Sequence, residues 1–386
     1  MSASALFERD VPLDVESETG WIDKYPRKRW QRWLLRLGLA LPFVALTIWY
    51  HVASGGDWSA TPNGELAERV GALDWSVSSV TGITHLYPPI TSVTAMLIPG
   101  GALGLGLAGS LVAGVLLQLM LKALYRRRIP VATRILLFLA VAATPVFGFI
   151  ATTNIQAMLG LALFANGMFD LARFVSLANT QAGFRAGVLF AASALADSTG
   201  LLAAPAAALA GVLLLQARRK ARGANATVVL FPTVAMMGSL MVLGVAFGVG
   251  PLVMFGDDVG WQPSLVDAFL ASFATLAGWT FLAPAILLSA SALLLGFGWA
   301  ALTSVITTAL VLLAYLLGLM PDGASGNGFV MVQIVAIAIT PAVGGGWRRG
   351  VVTATTLLML VIGWASAYTR TAVVAWVTVL VGGGAG

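Results

Sequence analysis

The sequence predicts an all-α, polytopic integral membrane protein of about 11–13 transmembrane helices, with a juxtamembrane helix in its first extracytoplasmic loop. Three observations carry this expectation. Of 386 residues, 59% are hydrophobic and 10% charged, and the mean hydropathy is +0.90. A soluble domain carries roughly 25% charged residues, so this chain has too little polar surface to coat a water-facing globule. Apolar runs near the ~20 residues that cross a bilayer recur along the chain. Lys and Arg gather in short clusters between those runs.

Residues 1–31 are polar, with Glu8, Asp10, Asp14, Glu16 and Glu18 ahead of Arg27-Lys28-Arg29. They read as a cytoplasmic tail without a cleavable signal peptide. Residues 32–386 read as a single transmembrane domain. The first span is expected at 33–52, followed by an extracytoplasmic loop over 53–85. The apolar stretch 90–121 is too long for one crossing, and Pro99-Gly100-Gly101 divides it. A short amphipathic or re-entrant piece should precede a full helix there. Further spans are expected at 131–151, 156–177, 186–196, 201–215, 227–248, 267–289, 297–319, 329–343 and 351–367, with a short final run at 371–381. The two short segments after Arg185 would form a hairpin turning at Asp197-Ser198-Thr199-Gly200.

Charge sets the orientation. Most of the 22 basic residues lie at 24–36, 122–134, 218–222 and 348–349, all on one side of the expected spans. Only Arg69 and Arg370 fall on the other. The positive-inside rule puts the clusters and the N-terminus in the cytoplasm and the loop 53–85 outside. The net charge of +6 is therefore a topology signal, and no nucleic-acid partner is expected. Cys 0 excludes disulfides, thiolate catalysis and Cys-based metal sites, and with His 2 no His-cluster metal site is expected. The Ala- and Val-rich composition points to a bacterial plasma-membrane protein.

The loop reads Ser54-Gly55-Gly56-Asp57-Trp58, then Asn63 to Trp75, then His85-Leu86-Tyr87-Pro88-Pro89. Leu66, Val70 and Leu73 recur at helical spacing, with Asn63 as the expected N-cap. A surface helix should lie there. Tyr87-Pro88-Pro89 then fixes an extended approach to the next helix.

This arrangement resembles the GT-C type glycosyltransferases that use polyprenyl-phosphate sugars. It is most similar to the bacterial polyprenol-phosphomannose-dependent mannosyltransferases. In that family a functional Asp follows the first span, a surface helix comes next, and a Tyr-Pro-Pro or Lys-Pro-Pro motif opens the following helix. The segment 179–205, with Arg185 and then Asp197-Ser198-Thr199-Gly200, is similar to a later family pattern. Many relatives have Asp-Glu where Asp57-Trp58 stands, and Lys where Asp197 stands.

The resemblance implies an inverting transfer of a hexose, mannose for preference, from a polyprenyl-phosphate donor to a lipid or glycan acceptor. One carboxylate must take the acceptor proton, which points to Asp57, with Glu65 and Asp74 as alternates. Arg69 and then His85 are candidates for the donor phosphate. Tyr87, Trp58 and Trp75 are candidates for the substrate, the indoles as stacking faces for sugar. No metal ligand is assigned, although the loop carboxylates could hold a divalent cation. Each residue also has a plainer role: solvated carboxylate, interfacial tryptophan, Arg paired with a nearby Glu.

Asp170 and Arg173 lie three residues apart inside an expected span, on one face, where they can pair. Intramembrane charges default to a functional reading. They support a rival in which the protein is a transporter or lipid flippase, although no internal repeat is visible. A structural subunit of an envelope complex, bound through its tail to a partner, is the third reading.

Overall fold

The computed structural model describes residues 25–73, 86–126, 129–177, 179–201, 222–248, 259–319, 327–339 and 346–382, together with 250, 251 and 255. The described residues form helices and no strand. Among the described residues, seven helices are long and apolar enough to cross a membrane. They are α1 (Arg29–Ala53), α4 (Gly101–Arg126), α7 (Ile155–Leu177), α9 (Arg222–Ala246), α11 (Leu276–Leu295), α12 (Gly298–Leu316) and α14 (Trp347–Tyr368). An eighth span is a broken pair, α5 (Val131–Ala142) and α6 (Pro145–Thr153), bent by 58°. Side chains such as Leu41, Phe231, Val242 and Ile286 stand exposed on their outer faces. An apolar outer surface of that extent suits lipid and not water.

The described residues hold part of the expected 11–13 spans, and 202–221, where another is expected, lie outside them. Hydropathy registers apolar runs but not where the backbone breaks. The run expected at 267–289 is split into α10 (Pro263–Ser272) and α11, with the Thr275 hydroxyl capping the second helix. Within the runs at 329–343 and 371–381 the described residues form α13 (Asn327–Ile339) and α15 (Thr371–Gly382), 13 and 12 residues long; 340–343 lie outside the described residues. At 1.5 Å per residue the described part of neither covers a ~30 Å hydrocarbon core. The second arm of the hairpin expected after Asp197 lies outside the described residues beyond Leu201.

The division of 90–121 is as expected. α3 (Pro89–Leu97) is nine residues long. Gly100 and Gly101, where α4 begins, take positive φ. Such backbone angles favour glycine, because a Cβ crowds the carbonyl there. The α5–α6 bend has its own signal: Pro145 opens α6, and the Thr144 hydroxyl accepts from the Phe147 N–H at 3.3 Å.

Small residues set the packing around α4. It runs antiparallel to α1, with Gly106 against Thr47 and Gly114 against the Arg36 carbonyl and Ala40. Thr47 and Ser110 bridge the pair by a buried hydroxyl–hydroxyl bond of 2.9 Å. A Cβ at Gly106 would stand 2.6 Å from the Thr152 carbonyl oxygen, and one at Gly109 2.8 Å from that of Ala151. Close backbone approach is how membrane helices gain packing energy where lipid supplies no hydrophobic drive. Gly114→Val should therefore cost about 1–3 kcal/mol, read as a lower thermal midpoint in detergent. An unchanged midpoint would contradict this packing.

Candidate functional site

The loop that follows α1 is organised by its own chemistry. Gly55 and Gly56 both take positive φ and turn the chain sharply. Trp58 then folds back over the end of α1. Its indole N–H donates to His51 Nδ1 at 3.0 Å, and its ring packs edge-on against Tyr50. His51 Nδ1 is thereby an acceptor, which places the neutral ring's proton on Nε2. Trp58 is 6% exposed, so its faces are occupied by protein. As it stands, it is a latch and presents no stacking face to a sugar.

Asp57 sits on the outer side of this turn, fully exposed. Its Oδ1 accepts from the Ser59 backbone N–H at 2.9 Å, an Asx turn. That bond, with the Ser59 side chain adding to it, holds the carboxyl below the usual range. Asp57 is therefore ionised at neutral pH.

The surface helix is α2 (Pro62–Gly71). Its N-cap is Thr61, not the expected Asn63: the Thr61 hydroxyl accepts from the Gly64 N–H at 3.1 Å. Pro62 explains the shift. A proline is best placed at the first helical position, which leaves the cap to the residue before it. Asn63 is thereby free for a longer reach. It is 1% exposed. Its Oδ1 accepts from the Ile155 N–H at 2.8 Å, and its Nδ2 donates to the Thr152 carbonyl at 3.4 Å. These backbone groups flank Asn154, where α6 ends and α7 begins. One side chain thus ties the loop helix to that break. Leu66 sits in the same joint with Leu105 and Ile155. Glu65 and Arg69 face outward on α2, each within electrostatic reach of the other. Asp74, Trp75 and His85 lie outside the described residues.

The far end of the loop is anchored as firmly. Tyr87 is buried. Its hydroxyl donates to the Ala194 carbonyl at 2.8 Å, and its ring meets Phe255 edge-on. Thr91 donates to the Ala196 carbonyl at 2.5 Å. Both bonds satisfy carbonyls at the end of α8 (Thr180–Ala196), which a helix terminus leaves without partners. Tyr87 thus fixes the chain rather than offering its hydroxyl to substrate.

The next residue, Asp197, is the one the sequence reading undervalued. At a predicted span end it had no assigned role. It is 4% exposed. Its Oδ1 accepts from Gln156 Nε2 at 3.4 Å and its Oδ2 from Asn327 Nδ2 at 3.1 Å. Both partners are uncharged amides. Gly160 lets α8 come this close, since a Cβ there would lie 2.6 Å from Asp197 Cβ. The Asn327 Oδ1 is buried without a hydrogen-bond partner among the described residues. The signal available beforehand was a cluster of polar residues, Asn154 and Gln156, interrupting an apolar window. It marked the place but not the partner 41 residues on.

Three segments therefore converge on one turn of α7: α2 through Asn63 at Ile155, α8 through Asp197 at Gln156, and the Tyr87–Thr91 segment through the last carbonyls of α8. An exposed ionised carboxylate, Asp57, and a buried one, Asp197, belong to the same end of the bundle. Asn63→Ala removes both bonds to the break and leaves a buried N–H unpaired. The expected cost is about 1–3 kcal/mol, with faster proteolysis of the loop in intact membranes. Unchanged proteolysis would show that Asn63 does not hold it.

A separate cavity of about 90 Å³ lies between α5, α11, α12, α13 and α14, lined mostly by apolar side chains such as Leu288, Phe297 and Met359, with Gln333 among them. No residue of the first loop lines it. Among the described residues no group of three or more His, Asp or Glu could hold a metal ion. No protein family, curated protein or solved structure matches the chain.

Proposed function

We propose that the protein is a bacterial plasma-membrane glycosyltransferase with a cytoplasmic N-terminus. It transfers a hexose, with mannose the favoured sugar, from a polyprenyl-phosphate donor to a lipid or glycan acceptor at the extracytoplasmic face. One observation carries this reading. The first loop is pinned at both ends to the same region of the bundle, and it presents an ionised, exposed carboxylate there.

Asp57 is the base. As the acceptor oxygen attacks the anomeric carbon, its proton passes to an Asp57 oxygen. The bond from that carbon to the phosphate oxygen breaks, and its electron pair leaves with the lipid phosphate. Configuration inverts. A carboxyl held below its usual range is a weak base, so proton transfer follows bond formation closely instead of preceding it. A phosphate leaving group needs charge stabilisation more than protonation. Arg69, exposed on α2, can supply it. Glu65 and Asp74 remain alternates for the base. The acceptor class is set by what the chain's outer face admits, and a partner subunit could present it.

The test is transfer of radiolabelled hexose from a polyprenyl-phosphate donor in membranes containing the protein, against membranes lacking it. Label should move to an acceptor with equimolar release of lipid phosphate. No transfer from any polyprenyl-phosphate hexose would reject the reading.

A further inference from the structure

The cavity between α5, α11, α12, α13 and α14 has a volume of about 90 Å³, and none of the described residues that line it is acidic or basic. Four of them carry hydroxyls: Ser291, Ser304, Thr355 and Thr356. Each has already placed its proton. Ser304 donates to the Ala300 carbonyl at 3.0 Å and Thr356 to the Val352 carbonyl at 2.6 Å. Ser291 donates to the Leu287 carbonyl at 2.7 Å. The Thr355 oxygen lies 2.5 Å from that of Ser291. With the Ser291 proton spent on Leu287, the bond between them uses the proton of Thr355, since a hydroxyl has only one.

The remaining polar side chain of the wall is Gln333, which is 4% exposed. Its Nε2 donates to the Ala140 carbonyl at 2.9 Å. That bond fixes the sense of the amide, because exchanging its ends would set oxygen against oxygen. The Gln333 Oε1 is buried and has no hydrogen-bond partner among the described residues. A buried acceptor without a donor is costly, and the hydroxyls of the wall have no proton left for it. Water is a poor remedy. A cavity of this size has room for roughly six to nine water-sized groups, and each buried water needs two to four polar partners. Leu288, Leu295, Phe297 and Met359 offer none.

We propose that the cavity binds an uncharged hydrocarbon alcohol drawn from the bilayer. Its hydroxyl donates to Gln333 Oε1, and its chain fills the space between Leu288, Leu295, Phe297 and Met359. The terminal torsion of a glutamine is soft, so the oxygen can turn to meet the donor. Other ligand classes each fail on one count. A ketone or an ester brings a second acceptor to an acceptor. An alkane fills the space and leaves Oε1 unmet. A carboxylate or an ammonium ion would give up its water beside a wall without counter-charge. The bilayer is the reservoir, because the helices around the cavity expose Leu294, Leu302 and Leu358 on their outer faces. The site is separate from the first loop and does not rest on the glycosyltransferase reading.

The experiment uses the purified full-length protein in phosphatidylcholine nanodiscs. The probe is azibutanol, a small alcohol bearing a photoreactive diazirine, and labelled peptides are mapped by mass spectrometry. The competitors are n-pentanol, methyl propyl ketone and hexane, which are close in size and are compared at equal concentration in the membrane. Label should fall on the turns of α11, α12, α13 and α14 that line the cavity. Pentanol should displace it at a concentration roughly three- to tenfold lower than the ketone or hexane needs, the worth of one hydrogen bond. Gln333→Leu should weaken labelling by the same factor and erase the difference between the competitors. Ala292→Leu fills the cavity and leaves Gln333 and Ala140 untouched. It should lose the label, and it decides the matter if Gln333→Leu fails to fold. Wild type without label at the cavity overturns the proposal. So does label that hexane or the ketone displaces as readily as pentanol, or label that Ala292→Leu leaves unchanged.

Discussion

Asp57→Asn is expected to lower sugar transfer by about 10²- to 10⁴-fold, the usual range for loss of a general base. Asparagine keeps the shape and the acceptor oxygen that receives the Ser59 N–H, so the turn should survive. What it lacks is a group that can take a proton. The fall should therefore appear in kcat at saturating donor, with donor KM little changed. The pH profile gives an independent check. The carboxyl is held below its ordinary value by the Ser59 N–H and, secondarily, by the Ser59 side chain. A depressed group stays ionised until the pH falls through its lowered value. The activity carried by ionised Asp57 should thus be flat from pH 7 to about 5 and be lost only below the ordinary carboxylate range. A wild-type limb near pH 6 would point to a different group. Full activity in Asp57→Asn would move the base to Glu65 or Asp74.

Much of the molecule was legible in the sequence, for stated reasons. The break at Pro99-Gly100-Gly101, the surface helix and the pairing of Asp170 with Arg173 all follow from short-range rules. These are glycine at positive φ, three- and four-residue spacing, and opposite charges on one helix face. What was not legible is long-range. Asn63 looked like a cap because Asn is a good one, and only Pro62 displaced it to a structural bond 92 residues away. Trp58 looked like an interfacial aromatic, and periodicity could not reveal that Gly55 and Gly56 turn it back onto His51. Asp197 looked like a span end. Its burial depends on Gly160 and Asn327, which belong to other helices. Hydropathy marked the runs that became α13 and α15 but not how long each helix is among the described residues. Hydropathy reports composition, and helix length depends on where caps and prolines fall.

Asp170 carries the second large effect, on stability. Removing one member of a buried ion cluster costs about 3–5 kcal/mol, because the charges left behind lose their partner in a medium that solvates them poorly. Asp170 and Arg173 have side chains only 5% and 9% exposed. Asp170→Ala should lower the thermal midpoint of the detergent-solubilised protein sharply and reduce its yield in membranes. The companion variant decides the interpretation. Asp170→Leu with Arg173→Leu and Arg185→Leu removes all three hydrogen-bonded members and leaves neither arginine without its carboxylate. It should recover most of the lost stability, since apolar replacements of buried ion groups are often neutral or better. A transport pathway would behave in the opposite way. There the single variant would abolish flux while leaving the midpoint nearly unchanged, and the apolar triple variant would recover nothing. The bidentate hold of Arg185 on Asp170, at 2.5–2.7 Å, favours the first outcome. A carboxylate bound by two guanidiniums at the basic end of three packed helices is fixed in place, whereas a carrier must release its charges in turn.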